Sequence, residues 1–169
     1  WMGGWSNNFR FKGFDFEIFS RFQGGNMVMN VTKQETLLNM GFQNNGQIIM
    51  DRWTTAGQVT EIPRVWTGRE AAINTTGAAS TRFLEKGDFF RIQNIILGYR
   101  LPANMLTKIE KAGIKSLRVY AQIQNPLIFT KYTGLDPEIS TNTGNSDFGV
   151  DANANPIIKT TSIGINLGL

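Results

Sequence analysis

The end of the chain alternates between apolar and polar side chains. The apolar positions are Ile163, Ile165, Leu167 and Leu169, and the positions between them hold Thr160, Ser162, Gly164 and Asn166. Side chains of an extended strand point alternately to its two faces, so this pattern predicts a β-strand with one apolar and one polar face. The alternation runs to the final residue, which favours a strand held in a sheet up to its end.

The same period of two recurs upstream. Phe14, Phe16, Ile18 and Phe22 share one face of an extended segment, and Asp15, Glu17 and Arg21 share the other. Lys12-Gly13 precedes this segment and predicts a tight hairpin turn, because Gly adopts the positive φ that such turns need. We therefore predict an all-β fold of five antiparallel strands, at residues 2–12, 14–24, 88–100, 115–130 and 157–169.

Two irregularities are expected within the strands. Phe90 and Ile92 share one parity, whereas Ile95, Leu97 and Tyr99 share the other, so an extra residue near Gln93-Asn94 should form a β-bulge. Asn125-Pro126 should interrupt the fourth strand, since proline cannot donate a ladder hydrogen bond. Between these two strands, Pro102 and Gly113 bracket a predicted short helix over residues 103–112.

Residues 25–86 and 131–156 lack the period of two and are predicted to be long loops. Thr32 and Glu35 form a capping-box pattern, which predicts a short helix that Gly41 ends. Compact soluble domains rarely carry loops of this length, whereas membrane barrels combine long external loops with short periplasmic turns. Five strands are too few for a membrane barrel, which has about eight or more, so these five would be part of a larger one.

Composition excludes several classes of function. The chain contains no Cys and no His, which removes thiolate metal sites and serine-hydrolase triads that need histidine. The net charge of +4 is scattered rather than clustered, so nucleic-acid binding is not predicted. We predict no catalytic residues, no metal ligands and no cofactor.

A few side chains are candidates for contact with another molecule. Trp53, Trp66 and Tyr132 lie in the predicted loops, where aromatic rings can stack on sugars or contact a partner, although packing within a folded loop is the favoured alternative. Asp136 and Glu138 are a carboxylate pair of the kind that glycosidases use, but their spacing around Pro137 favours loop structure over catalysis.

Several short stretches, taken in their order and spacing, carry a resemblance to a known family. They are Asp51–Thr54, Ile62–Arg64, Arg91–Asn94, Leu97–Pro102, Ser116–Tyr120, Gln124-Asn125, Lys131–Glu138 and Gly164–Leu167. Over essentially its whole length the chain resembles the C-terminal region of SusC/RagA-type TonB-dependent outer-membrane transporters of Bacteroidetes-type bacteria. Ser162, Gly164, Leu167 and Leu169 are similar to the assembly signal of outer-membrane proteins, with Leu169 where an aromatic residue is usual.

The resemblance implies a multi-pass β-barrel of about 22 strands in the outer membrane, of which these strands are the last five. It implies import of a bulky nutrient, an oligosaccharide or a peptide, with extracellular loops at 25–86 and 131–156. The implied partners are a SusD-like surface lipoprotein, the TonB complex acting through an N-terminal part that this sequence does not contain, the barrel-assembly machinery and outer-membrane lipid. The alternative is a soluble secreted β-sandwich that binds carbohydrate, for which the alternation and the exposed tryptophans also serve.

Overall fold

A computed structural model of the chain describes residues 1–34, 44–64, 80–107, 113–138, 141 and 149–169. The chain divides into two compact units. The sheet unit comprises Trp1–Gly25, Asp88–Lys131 and Ile157–Leu169, and the loop unit comprises Asn26–Gly87 and Tyr132–Pro156. No helix within the described residues is long and apolar enough to cross a membrane.

The sheet unit is one five-stranded antiparallel sheet. Its strands are β1 (Met2–Phe11), β2 (Phe14–Gln23), β5 (Phe89–Arg100), β6 (Ser116–Thr130) and β8 (Thr160–Gly168), and they lie in that order. Each strand pairs with the next member of this series along the chain. The predicted all-β fold class, with five antiparallel strands, is confirmed, and the last strand begins at Thr160 rather than near 157.

The local irregularities of the sheet follow the sequence signals. Lys12 and Gly13 have φ of 45° and 88°, the pair of positive angles that a two-residue hairpin turn requires. In β5 the register shifts at Gln93, so Phe90 and Ile92 share a face with Ile95 and Leu97 despite their different parity. In β6 the register shifts at Asn125 and Pro126, where Asn125 has a φ of 51°. Both predicted interruptions therefore lie at the same level of the sheet.

The connection between β5 and β6 begins with a short helix. It spans Ala103–Leu106, with Pro102 as its N-terminal cap, and the amide of Met105 donates to the carbonyl of Pro102 at 3.0 Å. The rest of the predicted helix, residues 108–112, lies outside the described residues.

The loop unit contains a small sheet that the sequence did not predict. Strands β3 (Met27–Asn30), β4 (Leu84–Lys86) and β7 (Val150–Asp151) form it, with β3 antiparallel to β4 and parallel to β7. The segments predicted as loops therefore carry short strands. Strands of two to four residues are too short to show a detectable alternation.

The start of helical structure after β3 also differs from the prediction. Helical residues begin at Val31, and the side-chain oxygen of Asn30 accepts from the amide of Lys33 at 2.8 Å. Asn30, rather than Thr32, thus acts as the cap, while Thr32 bonds within the loop unit. Glu35 and Gly41, the other residues of this prediction, lie outside the described residues.

Candidate functional sites

The two faces of the sheet unit differ sharply in chemistry. One face carries large apolar side chains that are exposed, including Trp5, Phe9, Phe11, Phe14, Leu97, Leu127, Phe129, Ile163, Ile165 and Leu167. The exposed fraction reaches 80% at Ile163, in the last strand. A contiguous apolar surface of this kind marks contact with lipid or with a protein partner, since water disfavours it.

Aromatic pairs mark both ends of this apolar face. At the hairpin end, the rings of Phe14 and Tyr99 lie 4.5 Å apart between centroids across β2 and β5. At the opposite end, Phe90 and Phe129 pair at 6.2 Å across β5 and β6. Membrane barrels place aromatic residues at both interfaces, so an aromatic pair at each end of the apolar face is consistent with a bilayer-spanning wall. The strands contain 9 to 15 residues, long enough for a tilted crossing.

The opposite face is polar and carries an ion pair that spans three strands. Arg118 of β6 donates from Nε to Oδ1 of Asp15 in β2 at 2.9 Å, and its Nη2 donates to Oδ2. The pair lies over Gly98 of β5, where an added Cβ would come within 2.5 Å of Arg118 Nη2 and 2.6 Å of the Asp15 carboxylate. Gly98 therefore provides the space in which Arg118 reaches across β5.

Further along the same face, amide side chains form a second contact across strands. Gln122 of β6 donates to Asn94 of β5 at 2.9 Å. Glu17 and Arg21 of β2 lie on this face too, as the alternation predicts. The wall of a membrane barrel with a polar interior requires a sheet with one apolar face and one polar face.

The assembly-signal residues lie along β8 and just beyond it. Ser162 and Gly164 lie on the polar face opposite Gln122 and Tyr120, and Leu167 lies on the apolar face opposite Leu117. The ring of Tyr120 occupies the space that a side chain at position 164 would fill. Leu169 follows the strand and is 81% exposed. Among the described residues, β8 pairs only with β6 and forms one edge of the sheet.

In the loop unit, a partly buried polar network joins segments that are distant in sequence. Glu85 accepts from the amide of Thr133 at 2.9 Å, from its hydroxyl at 2.7 Å, and from Lys33 Nζ at 2.9 Å. Burial opposes ionisation of Glu85, but these hydrogen bonds outweigh it and lower the pKa of the carboxyl. The network ties β4 to the segments that follow β3 and β6.

Tyr132 belongs to the interior of this unit. Its ring is only 6% exposed, and its hydroxyl donates to Asp151 Oδ2 at 2.7 Å. Burial, together with this carboxylate, raises the pKa of Tyr132, so the hydroxyl stays protonated and acts as a donor. The structure therefore favours the packing alternative for Tyr132 over contact with a sugar or partner.

The other sequence candidates are placed as follows. Trp53 is half-buried, and its amide donates to the carbonyl of Ile62 at 2.9 Å. In the same loop, the side chain of Gln58 accepts a hydrogen bond from the amide of Thr54. Trp66 lies outside the described residues. Asp136 is 2% exposed and its Oδ1 accepts from the amide of Glu138 at 3.0 Å, which is the geometry of a turn. Asp136 and Glu138 are therefore part of a turn in the loop.

Removal of the Tyr132 hydroxyl tests this interior role. Tyr132→Phe should destabilise the loop unit by about 1–3 kcal/mol, because it removes the hydroxyl that donates to Oδ2 of the buried Asp151 carboxylate. In the full-length protein, amide hydrogen exchange should accelerate in peptides covering 132–138 and 149–154. Tyr99→Phe, at a ring that packs on the apolar face against Phe14, should leave those peptides unchanged. Equal exchange in the two variants would contradict the role of the hydrogen bond.

The pH dependence of the loop unit follows from Glu85. Because its pKa is lower in the folded state than the ordinary value of 4.5, the ionised carboxylate stabilises the unit above that pH. This stability should disappear as the pH falls through the lower folded pKa. Hydrogen exchange measured between neutral pH and about pH 3 should show that the loop unit opens in acid. In the Glu85→Gln variant the loop unit should be less stable at neutral pH, and its stability should depend less on pH. The same pH dependence of exchange in wild type and in Glu85→Gln would argue against Glu85 as the titrating group.

A sheet with one exposed apolar face and one polar face fits the wall of an outer-membrane β-barrel, and the comparisons with known proteins identify that class. The chain is 30% identical over 169 residues to the TonB-dependent receptor P3 of Formosa agariphila, covering 97% of this chain and 16% of that protein. It is 40% identical over 88 residues to the TonB-dependent receptor SusC of Bacteroides thetaiotaomicron, covering 52% of this chain and 8% of that protein. No family model matches the chain.

Solved structures show the same relationship. The RagAB peptide importer in its open-open state matches with a TM-score of 0.79 and 27% identity, over 99% of this chain and 17% of the solved chain. The closed-closed state gives a TM-score of 0.78 at the same identity. The chain is a segment of a SusC/RagA-type TonB-dependent transporter, and it spans about a sixth of the length of these relatives. These relatives are receptors and transporters rather than enzymes.

Proposed function

We propose that the protein containing this sheet imports a bulky nutrient, an oligosaccharide or a peptide, across the outer membrane with a SusD-like lipoprotein as its lid. The observation that carries the proposal is the two-faced sheet, whose full length superposes on the RagAB peptide importer. The polar face, with its ion pair and amide contacts, would line the transport lumen. The apolar face would contact outer-membrane lipid.

Uptake from a defined mixture tests the import function. Cells that express the full-length protein, and matched cells that lack it, are incubated with a protein digest and with mixed neutral and acidic oligosaccharides. Mass spectrometry of the medium should show depletion of one solute class only when the protein is present. Depletion that is independent of the protein in both classes would overturn the proposal, as would a protein that is soluble without detergent.

Affinity purification tests the lid. The full-length protein, tagged and extracted in mild detergent, should retain a surface lipoprotein of the SusD type. Deletion of that lipoprotein should abolish depletion of the solute class identified above. Uptake that persists unchanged without the lipoprotein would argue against a lid role. We also propose, from membership of the same family, that transport depends on TonB and that the barrel-assembly machinery inserts the protein.

The orientation of the sheet is also part of the proposal. Residues 25–86 and 131–156 would face the outside of the cell, and the Lys12-Gly13 hairpin and residues 101–115 would face the periplasm. This sequence has no Cys, so single cysteines introduced into it can report position in a full-length protein from which any other reactive cysteines have been removed. A cysteine at Val59, which is 99% exposed, should react with a membrane-impermeant maleimide in intact cells. A cysteine at Lys12 should react only after the outer membrane is opened, and the reverse pattern would invert the proposed orientation.

Trp53 is the remaining candidate for solute or lid contact among the described residues. The residue is half-buried, so part of its side chain remains accessible, and its amide donates to the carbonyl of Ile62. Trp66 and Tyr132 add nothing to this proposal, the first because it lies outside the described residues and the second because it is buried.

A further inference from the structure

One asparagine of the loop unit is both exposed and followed by glycine. Asn45-Gly46 is the only Asn-Gly pair in the sequence, and Asn45 is exposed. Neither the Asn45 side chain nor the amide of Gly46 makes a hydrogen bond in the part of the chain that the structure describes. The side-chain amide of Asn45 and the backbone nitrogen that follows it are therefore both accessible to reaction.

The local backbone leaves the Gly46 nitrogen unused. Gly46 precedes a short 3-10 helix, Gln47–Asp51, and has a φ of −68° and a ψ of 160°. Its carbonyl accepts from the amide of Ile49 at 3.1 Å, so the helix uses the carbonyl of Gly46 and not its amide. Glycine has no Cβ, and nothing on Gly46 itself shields its nitrogen from the preceding side chain.

We propose that Asn45 is a site of spontaneous deamidation, at which asparagine converts to aspartate and isoaspartate. Asparagine is among the thermolabile residues of proteins. The Gly46 nitrogen, after losing its proton to hydroxide, attacks Cγ of Asn45 and closes a cyclic imide. The bond from Cγ to the side-chain nitrogen breaks, and that nitrogen takes a proton from water and leaves as ammonia. Water then opens the imide at either carbonyl carbon.

The reaction changes both charge and chain path at the start of the short helix. Each product carries a carboxylate, which is ionised at neutral pH, where asparagine is uncharged. Isoaspartate also routes the backbone through Cβ and Cγ, which lengthens it by one carbon. Because the loop unit is proposed to face the outside of the cell, older molecules would carry more negative charge there than newly made ones.

Other exposed asparagines of the described residues lack one of these conditions. The nitrogen that follows Asn153 belongs to Ala154 and donates to Asp151 Oδ1 at 3.3 Å. Asn155 precedes Pro156, which has no N–H to lose. Three more lie within regular secondary structure, Asn8, Asn104 and Asn166. Exposure alone therefore does not select Asn45; the glycine and its unbonded amide do.

Mass spectrometry of the purified full-length protein, incubated at neutral and at mildly alkaline pH, tests this site. The tryptic peptide 34–52 should gain one mass unit at Asn45, faster at the higher pH, with isoaspartate among the products. The rate in the folded protein should approach that of a synthetic peptide of the same sequence, because no described hydrogen bond protects the site. Gly46→Ala, which fits these backbone angles, should slow the reaction about tenfold, or about 1.4 kcal/mol in activation free energy.

Two controls lie at the site itself. Asn45→Gln must close a larger ring and should stay unmodified at this position. Asn44 is exposed and adjacent but is followed by a residue with a side chain, so it should react much more slowly within the same peptide. Heat-modifiable gel migration of each sample confirms that the barrel stays folded during incubation.

Three results would overturn the proposal. The first is an intact Asn45 in the folded protein under conditions in which the synthetic peptide reacts. The second is an equal rate at Asn44 and Asn45, and the third is a rate that Gly46→Ala leaves unchanged. None of these measurements depends on the transported solute, so the result is independent of the proposed import function.

Discussion

Replacing Gly164 by valine should prevent the last strand from closing onto its neighbour and should strongly reduce the amount of folded protein in the outer membrane. In the register of β6 and β8, Gly164 lies opposite Tyr120, whose ring occupies the position of the missing side chain. The ring can make room only by turning as a whole away from β8. Overpacking of this kind costs about 1–3 kcal/mol for small additions, and valine adds more than one methyl group.

The ring of Tyr120 has a second contact that holds it in place. The guanidinium of Arg118 lies 5.0 Å from its centroid, and Arg118 is in turn bound to Asp15. Displacing the ring would therefore disturb contacts that reach from β8 to β2.

Matched variants distinguish a steric clash with Tyr120 from a general effect of replacing a glycine in this strand. Gly168→Ala in the same strand meets only the hydroxyl of Ser116, which can rotate, so it should behave nearly as wild type. Tyr120→Ala removes the obstruction, so Gly164→Val should cost much less in that background. The measurements are the fraction of heat-modifiable full-length protein in outer-membrane preparations and its unfolding midpoint. A full defect of Gly164→Val in the absence of Tyr120 would refute the steric explanation.

The same Gly164 shows how far sequence reasoning extends. Its place in a strand and on the polar face follows from the alternation, because alternation is a local property of an extended chain. The hairpin at Lys12-Gly13 and the bulge at Gln93 were predicted for the same reason, since both arise from a few adjacent residues. Contact between Gly164 and Tyr120 needs the register between strands, which no local pattern encodes.

The ion pair and the loop network illustrate what sequence could not supply. Asp15 and Arg118 are separated by 103 residues, and Thr133 and Glu85 by 48, so their pairing depends on the complete topology. The sequence shows the charge of each residue but not the residue with which it pairs. Tyr132 was a candidate for surface contact on its position in a polar segment, and only the fold shows that Asp151 holds it inside.

Replacing Gly134 by valine should disrupt the loop unit to a greater extent than any change to an exposed residue nearby. A side chain at this position would overlap the ring of Tyr132. The ring is buried and its hydroxyl is fixed by Asp151 at 2.7 Å, so it cannot yield without breaking that hydrogen bond. Thr133, between the two residues, also binds Glu85, and the strain would reach that carboxylate.

We expect a loss of about 3 kcal/mol or more in the local stability of the loop unit, combining overpacking with a broken buried hydrogen bond. Hydrogen exchange of the full-length protein should show faster exchange in both β4 and β7, while the strands of the sheet unit keep their protection. The exposed neighbour provides the control, because Leu135 is 69% exposed and Leu135→Ala removes little packing.

A second variant keeps the interpretation specific to the ring. Tyr132→Ala loosens the unit by itself, but adding Gly134→Val to it should produce only a small further change, since the space is then vacant. Additive losses in the double variant would mean that position 134 acts independently of Tyr132. Strong non-additivity would instead establish that Gly134 is required because Tyr132 lies over it. Packing inside the loop unit, rather than contact with solute, would then account for the Tyr132 and Gly134 pair within the Lys131–Glu138 stretch.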